Sequence, residues 1–244
     1  MRLIRVHTPQ PLQPGATVAL TDSAAAHLGR VLRLRSGDAV TVFNGDGHDY
    51  SGSIVALRGA RVEVALSARV AARPESPLAV TLVQGIARGE RMDFVVQKAT
   101  ELGIARLVPV QAERSVVRLE AGRAQRRQAH WYGVAIAACE QCGRARLPVV
   151  DEAQPLPGWL GQPPTGALRL QLDPGAEQSL ASAARGADAV ELLVGPEGGL
   201  SPAEQAAAAA AGYRPCSLGP RILRSETAAI AALVVLQAIS GDLR

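Results

Sequence analysis

The chain has 244 residues, of which 48% are hydrophobic and 20% are charged. This apolar content can bury one large core or two ordinary ones, and the length favours two domains. No window approaches the roughly 20 apolar residues that span a membrane, and Arg2 and Arg5 fall where a signal peptide needs its apolar stretch. Three cysteines are too few for a disulfide framework. These features argue against a membrane or secreted protein and predict a cytoplasmic one.

The positive charge is concentrated in the first third of the chain. Residues 1–73 hold nine arginines and five acidic residues, whereas residues 74–244 hold 17 residues of each sign. A concentrated positive field suits a polyanion such as RNA, because each neutralised phosphate releases counterions. Lys98 is the only lysine, so a biased genome composition is an alternative source of the arginines. On balance the charge favours a nucleic-acid partner.

The first third of the sequence predicts a small β-barrel around one helix. Alternating apolar residues predict strands at residues 39–43, 50–57 and 61–66. Asn44-Gly45-Asp46-Gly47 is a strong turn signal, and the helix is predicted to begin at Asp22 or Ser23 and to continue to Leu32. The side chains that we expect to contact RNA are Arg2, Arg5, His27, Arg30, Arg33 and Arg35. A packing role for the histidine and a merely solvated face for the arginines are the alternatives.

The proline-rich segment Arg73-Pro74-Glu75-Ser76-Pro77 predicts a boundary between domains 1–73 and 74–244. After it, apolar patterns alternate between the strand and helix periods. The predicted strands cover residues 78–84, 105–110, 167–172, 189–194 and 213–217. The predicted helices cover residues 88–102, 122–142 and 177–185, followed by two more that begin near residues 201 and 225. This alternation predicts an α/β fold with a mostly parallel sheet covered on both faces.

Two glycine-rich loops near the C-terminus are the strongest signals of a ligand site. The first, GPEGG at residues 195–199, follows a predicted buried strand, and the second, LGPRILR at residues 218–224, follows a short one. The carboxyl ends of parallel strands form the usual ligand crevice of open α/β folds, and glycines let backbone groups approach a ligand closely. We therefore expect the two loops to lie side by side in one site. The alternative is that both are ordinary strand-to-helix turns.

Other nucleotide-binding motifs do not fit the sequence. It contains no G-x-x-x-x-G-K-[ST] and no G-x-G-x-x-G that opens a helix after a strand, which argues against a P-loop ATPase and a standard dinucleotide site.

The last two helices carry clear start signals. Ser201, Pro202 and Glu204 form a capping-box pattern, and Ser225 is predicted to cap a final helix that reaches Ser240. The final helix is apolar nearly all round and too short to span a membrane, so we expect it in a core or a subunit interface.

Cys139-Glu140-Gln141-Cys142 has the spacing of a redox pair or of half a zinc site. A tetrahedral zinc needs four ligands, and the remaining cysteine and histidines form no second pair, so no metal is expected. A thiol-redox role is possible in principle, but the pair lies inside a predicted helix rather than at its start, where a thiolate is stabilised.

Several segments along nearly the whole chain together carry a family pattern. They are QKATELG at 97–103, ERS at 113–115, EQCGR at 140–144, GPEGG at 195–199 and LGPRILRSETA at 218–228, with the segment from His27-Leu28 to Arg33 and Gly37-Asp38 before them. In these residues the sequence resembles the RsmE family of 16S ribosomal RNA uridine methyltransferases.

The resemblance implies a PUA-like β-barrel followed by a SPOUT-type parallel sheet whose C-terminal part forms a trefoil knot. Knots are rare exceptions among folds, and periodicity alone could not have shown one. The resemblance further implies a homodimer that takes S-adenosylmethionine as methyl donor without a metal. The implied reaction is methylation at N3 of a uridine in the decoding region of 16S ribosomal RNA, in the small ribosomal subunit. The apolar final helix would suit the dimer interface.

The resemblance also implies residue roles, carried over by position. The donor pocket would comprise Leu172, Gly195, Pro196, Glu197, Gly198, Gly199, Leu218, Gly219, Ile222, Leu223, Thr227 and Ala228, whereas the segment 173–177 varies in the family. N3 of uracil carries a proton at neutral pH, so the reaction needs a base or a stabilising cation. Arg221 and Arg224 are candidates for the cation, and Glu197 and Glu226 for proton acceptance, although each could be structural. A nonenzymatic RNA-binding or ribosome-assembly protein of the same fold and a thiol-redox protein are the alternatives.

Overall fold

The protein is described from a computed structural model, which covers residues 4–20, 22–58, 61–116, 122 and 124–243. The chain forms two compact units: residues 1–75 with 136–147, and residues 76–135 with 148–244. No helix in the described ranges is long and apolar enough to cross a membrane.

The first unit is built on a five-stranded sheet. Its strands are β1 (Arg5–His7), β2 (Thr17–Leu20), β3 (Ala39–Phe43), β4 (His48–Arg58) and β5 (Arg61–Ala71), in the order β1-β3-β4-β5-β2. β1 pairs with β3 in parallel, and the other pairs are antiparallel. Side chains alternate between the two faces of a strand. The inward-facing ones, such as Val42, Ile54 and Val64, are fully buried in one core.

The predicted strands of this unit are confirmed, but the structure adds to them. β4 and β5 extend beyond the predicted ends, and β1 and β2 were not predicted because three or four residues give too little alternation. The predicted helix is present as α1 (Asp22–Ala26) followed by a π-helical turn, His27–Val31. It ends as expected near Leu32, where Arg33 takes a positive φ of 54°.

A segment distant in sequence completes the first unit. Residues 136–147, which include the end of helix α3 (Ala124–Cys142), belong to this unit. The predicted boundary at residue 73 did not include this return of the chain. Two contacts tie it to β1: Arg5 Nη1 donates to the Cys139 carbonyl at 2.6 Å, and the His7 N–H donates to Glu140 Oε1 at 2.9 Å. No local sequence signal marks such a pairing.

The second unit is an α/β layer structure, as predicted. Its further strands are β6 (Ala79–Gly85), β7 (Arg106–Gln111), β8 (Val149–Val150), β9 (Gln154–Pro155), β10 (Leu168–Leu172), β11 (Ala189–Val194) and β12 (Arg214–Cys216). Its further helices are α2 (Glu90–Glu101), α4 (Leu156–Leu160), α5 (Leu180–Ala183), α6 (Pro202–Ala210) and α7 (Ser225–Ser240). The strand order is β12-β10-β11-β6-β7-β8, with β9 also on β7, and every pair is parallel.

The sheet of the second unit is buried on both faces. Leu82 and Leu192 point into a core shared with α2, α5 and α7, whereas Val83 and Leu193 point into a second core with α4 and α6. Side chains of consecutive strand residues face opposite sides of a sheet, so continuous apolar runs such as β11 are what this arrangement requires. The strands β8 and β9 and helix α4 are too short to have been predicted.

Helix α7 is embedded along one side only. Ala229, Leu233 and Leu236 are fully buried in the core, whereas Val234 and Ile239 are 42% and 41% exposed. The expectation that this helix lies in a core is therefore confirmed for one face, and an apolar strip remains on the other.

Candidate functional site

A cavity of about 600 Å³ opens at the carboxyl ends of β10, β11 and β12. Gln171, Leu172, Val194 and Cys216 are the strand residues that reach it, and the two glycine-rich loops form most of the remaining wall. The two loops thus share one cavity, as their position after neighbouring parallel strands predicts. The other lining residues are Arg91, Asp173, Pro174, Leu200, Gln205, Ser225 and Ala228.

The first loop is held in place by its close approach to the end of β6. A Cβ at Gly85 would lie 2.4 Å from the Pro196 nitrogen and 2.8 Å from the Gly195 carbonyl carbon. Backbone atoms cannot yield as a flexible side chain can, so only glycine permits this approach. Gly85 therefore shapes the cavity although it does not line it.

Ser225 connects the same loop to the start of helix α7. Its hydroxyl donates to the Gly195 carbonyl at 2.6 Å and accepts from Gln84 Nε2 at 2.9 Å. The prediction that Ser225 is the N-cap of this helix is wrong: Arg224 is the N-cap and makes no side-chain capping bond. Ser225 is the first helical residue, and its hydroxyl is used for the tertiary contact instead.

Helix α6 and the ERS segment support the far end of the first loop. The predicted capping box is present, with Ser201 Oγ accepting from the Glu204 N–H and Glu204 Oε2 accepting from the Ser201 N–H. The other Glu204 oxygen accepts the Glu113 N–H at 2.7 Å, and Arg114 Nη1 donates to the Gly198 carbonyl at 3.3 Å. The cap and ERS segment therefore form one support beneath the loop.

Most of the predicted donor-pocket residues line the cavity. Ten of them are Leu172, Gly195, Pro196, Glu197, Gly198, Gly199, Leu218, Gly219, Ile222 and Leu223, and Ala228 joins them from α7. Thr227 and Glu226 do not line it. Consecutive helical residues point about 100° apart, so Ser225 and Ala228 share the cavity face of α7 while the two residues between them point elsewhere.

Among the described residues, three arginines border the cavity. Arg221 and Arg224, predicted as cations, both line it and are exposed. Arg91, at the start of α2, was not predicted; its Nη1 donates to Glu197 Oε1 at 3.2 Å, and its Nε lies 3.8 Å from Glu226 Oε1. The two predicted proton acceptors therefore both face Arg91. No sequence signal links α2 to the loop, because 106 residues separate Arg91 from Glu197.

The electrostatics of Glu197 favour its charged form. Burial raises the pKa of this carboxyl, but hydrogen bonds from its own N–H, from the Arg88 N–H and from the Arg91 guanidinium outweigh burial and lower it below the ordinary value. A carboxylate with a lowered pKa is a weak base. The other candidate acceptor, Glu226, has a buried Oε2 without a hydrogen-bond partner in the described ranges.

The cavity fits a nucleoside-sized ligand with an amino-acid tail. Its volume lies in the range of roughly 300–1,000 Å³ that is typical of small-molecule sites. Apolar side chains such as Leu172 and Leu218 alternate with main-chain atoms of the loops, and Gly219 takes a φ of 100° that a bulkier residue would resist. Asp173 belongs to the segment 173–177, which varies in the family, and it adds a carboxylate to the cavity lining. The residues present therefore suit S-adenosylmethionine.

The residues expected to contact RNA divide into two groups. His27, Arg30, Arg33 and Arg35 are exposed in the first unit. Arg5 is only 5% exposed, its Nη2 donates to Asp49 Oδ1 at 2.6 Å, and its guanidinium lies over the Phe43 ring. Arg5 therefore serves the interior of the unit and is not available to RNA, while Arg2 lies outside the described residues.

Fold and site together have the arrangement of an RNA methyltransferase, and comparison with known proteins agrees. The RNA methyltransferase domain family matches residues 74–237, and the RNA methyltransferase PUA domain family matches residues 20–66. A ribosomal RNA small subunit methyltransferase E from Buchnera aphidicola is 30% identical over 242 residues, covering 99% of this chain and 98% of that protein. The Bacillus subtilis protein of the same name is 28% identical, covering 93% of this chain and 91% of its own length.

Two solved structures match along the entire chain. A ribosomal RNA small subunit methyltransferase E from Neisseria gonorrhoeae, bound to S-adenosyl methionine, is 36% identical with a TM-score of 0.92. A Legionella pneumophila protein in complex with the cofactor SAM is 39% identical with a TM-score of 0.93. Both cover 100% of this chain and 100% of their own. The chain belongs to the ribosomal RNA small subunit methyltransferase E family.

Proposed function

We propose that this protein transfers a methyl group from S-adenosylmethionine to N3 of a specific uridine in the decoding region of 16S ribosomal RNA. The observation that carries the proposal is the single cavity that both glycine-rich loops form at the ends of β10, β11 and β12. Family membership supports the reaction class, since a relative of the same family name has been solved with the methyl donor bound.

The donor-binding role rests on the backbone of the two loops. When bound, S-adenosylmethionine supplies an electrophilic methyl group on a sulfonium centre. Gly195–Gly199 and Leu218–Leu223 contribute main-chain donors and acceptors, which suit the edge of an adenine, and Leu172, Leu218 and Ala228 contribute apolar contacts. Asp173 at the rim offers a carboxylate to a hydroxyl or ammonium group of the ligand. Because Ser225 and Gly85 fix the first loop, the chain presents these groups in a preorganised form.

The chain must also deal with the N3 proton of the uridine. Arg221 and Arg224 are exposed at the cavity, and each can place a guanidinium beside the uracil oxygens to stabilise the anion formed when the proton leaves. Glu197 is less suited to take the proton, because Arg88 and Arg91 hold it in its charged form with a lowered pKa. We therefore assign Glu197 and Glu226 to holding Arg91 at the cavity rim and leave proton uptake to solvent. Positioning of the two reactants can supply roughly 7–11 kcal/mol of the barrier reduction.

The remaining assignments concern the whole protein. We assign residues 1–73 to a PUA-like RNA-binding domain, in which His27, Arg30, Arg33 and Arg35 contact ribosomal RNA, and residues 74–244 to a SPOUT-type domain with a C-terminal trefoil knot. We further propose that the protein is a cytoplasmic homodimer. The exposed apolar strip of α7, which includes Val234 and Ile239, suits the dimer interface.

The function is tested with purified protein, S-adenosylmethionine labelled in the methyl group, and small ribosomal subunits prepared from cells that lack the protein. We expect label to enter 16S ribosomal RNA, and nucleoside mass spectrometry to identify 3-methyluridine. Naked 16S RNA in a parallel reaction determines which form is the substrate. Donor binding measured by calorimetry without any label transfer to either form would instead favour a nonenzymatic RNA-binding protein, and label in another nucleoside would overturn the assigned atom.

A further inference from the structure

Cys139 and Cys142 lie one turn apart at the end of helix α3, far in sequence from the residues of the cavity. Both are free thiols. Cys142 is the last helical residue, and Gly143, with a φ of 93°, ends the helix by donating its N–H to the Cys139 carbonyl at 3.1 Å. The methyl-transfer chemistry uses neither thiol.

The two thiols have different surroundings within the first unit. Cys139 is fully buried, with its Sγ 3.6 Å from the Arg146 carbonyl and within hydrogen-bond reach of the Cys142 sulfur. Cys142 is partly exposed and accepts a hydrogen bond from the Arg144 N–H. The Arg144 and Arg5 guanidinium groups add positive charge near Cys142. The Cys142 sulfur is therefore partly reached by solvent and lies near groups that stabilise a thiolate, whereas the Cys139 sulfur is enclosed.

Because of these different surroundings, the pKa values of the two thiols shift in opposite directions. A hydrogen bond from the Cys139 thiol, assisted by the Arg144 N–H and the nearby arginines, outweighs burial and lowers the pKa of Cys142. The same hydrogen bond and burial raise the pKa of Cys139. Cys142 is therefore the sulfur that becomes a thiolate more readily, and Cys139 the one that keeps its proton, which is the arrangement of an attacking and a resolving cysteine.

We propose that Cys142 and Cys139 form a modification site at which a hydroperoxide oxidises the two thiols to a reversible disulfide. The Cys142 thiolate attacks one peroxide oxygen, the O–O bond breaks, and the leaving hydroxide or alkoxide takes up a proton. Cys142 is then a sulfenic acid. The Cys139 sulfur attacks it, the S–S bond forms, and the hydroxyl leaves as water with the Cys139 proton. The pair loses two electrons and the peroxide gains them, and a dithiol reverses the change.

Helix geometry predicts that this disulfide is easily reduced. Residues three apart on a helix have Cβ atoms about 5–6 Å apart, whereas a disulfide needs about 3.5–4.5 Å. The last turn must tighten, and Gly143, which directly follows the last helical residue, can absorb part of the backbone change. Tightening strains the two hydrogen bonds that the Cys139 carbonyl accepts, one from the Gly143 N–H and one from Arg5 Nη1. Strained disulfides have more oxidising potentials and are the labile ones.

The pH dependence of the reaction follows from the direction of this pKa shift. Because the pKa of Cys142 is lowered, a larger fraction of it is thiolate at neutral pH than of an ordinary thiol. Its rate of reaction with peroxide should therefore level off at a lower pH than the rate of an ordinary thiol, which continues to rise towards pH 9.

The experiment uses the reduced full-length protein treated with hydrogen peroxide, unfolded, alkylated and digested with trypsin. We expect the peptide of residues 128–144 to be lighter by two hydrogens and to take no alkyl group, and dithiothreitol to restore both thiols. Cys216 is the internal control, because burial raises its pKa to about 12 and it should remain alkylatable. The methyl-transfer assay is not involved, so this result is independent of the proposed function.

Two variants identify the roles of the sulfurs. In Cys139→Ser, dimedone should trap a sulfenic acid at Cys142; Cys139→Ala provides the same test if serine destabilises the buried position. In Cys142→Ser, Cys139 should stay alkylatable after peroxide. Oxidation of Cys216 as fast as Cys142, a rate at Cys142 that climbs to pH 9, or a wild-type product in which Cys139 remains free would each overturn the proposal.

Discussion

Charged residues of the second unit occupy two kinds of place, the middle of the sheet and the cavity beyond the strand ends, and they differ in burial. In the middle of the strands, Arg169 on β10 and Glu191 on β11 are opposite each other and are 7% and 1% exposed. Beyond the strand ends, the side chains of Arg91 and Glu197 are 45% and 22% exposed. Arg221 and Arg224 are exposed as well. Burial thus separates charges that hold the fold from those that remain available to a ligand.

The interior pair belongs to a closed network. Arg169 Nε lies 3.1 Å from Glu191 Oε1, an ion pair not aligned as a hydrogen bond, and Arg169 Nη1 donates to the Ala211 carbonyl at 2.8 Å. The Tyr213 hydroxyl donates to Glu191 and accepts from Trp159 Nε1. Burial and the bond to Glu191 raise the pKa of Tyr213, so it stays a donor. Removal of one member of such a network leaves its buried partner uncompensated, which is strongly destabilising.

The largest expected effect is on stability, from Arg169→Met. The change leaves Glu191 buried without its cation, and we expect it to lower the free energy of unfolding by about 3–5 kcal/mol, measured by urea denaturation. Arg185→Met, at an exposed position, is the matched control and should change stability by no more than about 0.5 kcal/mol. Adding Glu191→Gln to the Arg169→Met variant should recover part of the loss. A fully stable Arg169→Met protein would show that the buried pair is not structural.

The next effect is on catalysis, from Arg224→Ala at the cavity. If its guanidinium stabilises the uridine anion, kcat should fall by about 10²–10³-fold, while the Kd for S-adenosylmethionine and the unfolding free energy change little. Calorimetry and single-turnover transfer separate the two quantities, and Arg221→Ala is measured beside it. Equal losses in donor affinity and transfer rate would show that Arg224 supports the loop rather than the reaction.

A smaller effect should follow from Ser225→Ala, because Ser225 is a buried residue that also lines the cavity. The substitution leaves Gln84 Nε2 and the Gly195 carbonyl without their shared hydroxyl, and we expect a loss of about 1–3 kcal/mol. Because the first loop carries the bond, this loss should appear in donor affinity as well as in stability. Ser182→Ala, at an exposed position whose hydroxyl makes no tertiary contact among the described residues, is the control. An unchanged donor Kd would contradict the positioning role.

The smallest effect extends the comparison to the first unit, with Arg35→Ala. Arg35 is exposed, in contrast to the buried Arg5, so its loss should change stability by no more than about 0.5 kcal/mol. If Arg35 contacts a phosphate, RNA affinity should weaken and the slope of log K against log salt should fall by about 1. Filter binding over a salt series measures this. An unchanged slope would place Arg35 outside the RNA surface.

Local sequence determined much of this protein. The period of apolar residues predicted the α/β alternation, because each strand or helix must bury its own face. The capping box at Ser201 and Glu204 was readable because its partners are three residues apart. The convergence of the two glycine-rich loops followed from a rule about parallel strand ends. The assignment to a family came from several motifs spread along the chain.

Only the tertiary structure decided the positions that depend on distant partners. Arg5 looked like a surface cation but meets Asp49, and Ser225 looked like a helix cap but bonds to Gly195. Arg91 and Gly85 showed no sign of belonging to the site, and the return of residues 136–147 to the first unit was invisible. In each case the deciding contact joins residues at least 30 positions apart. Local propensity carries no information about such contacts, because they exist only once the chain is packed.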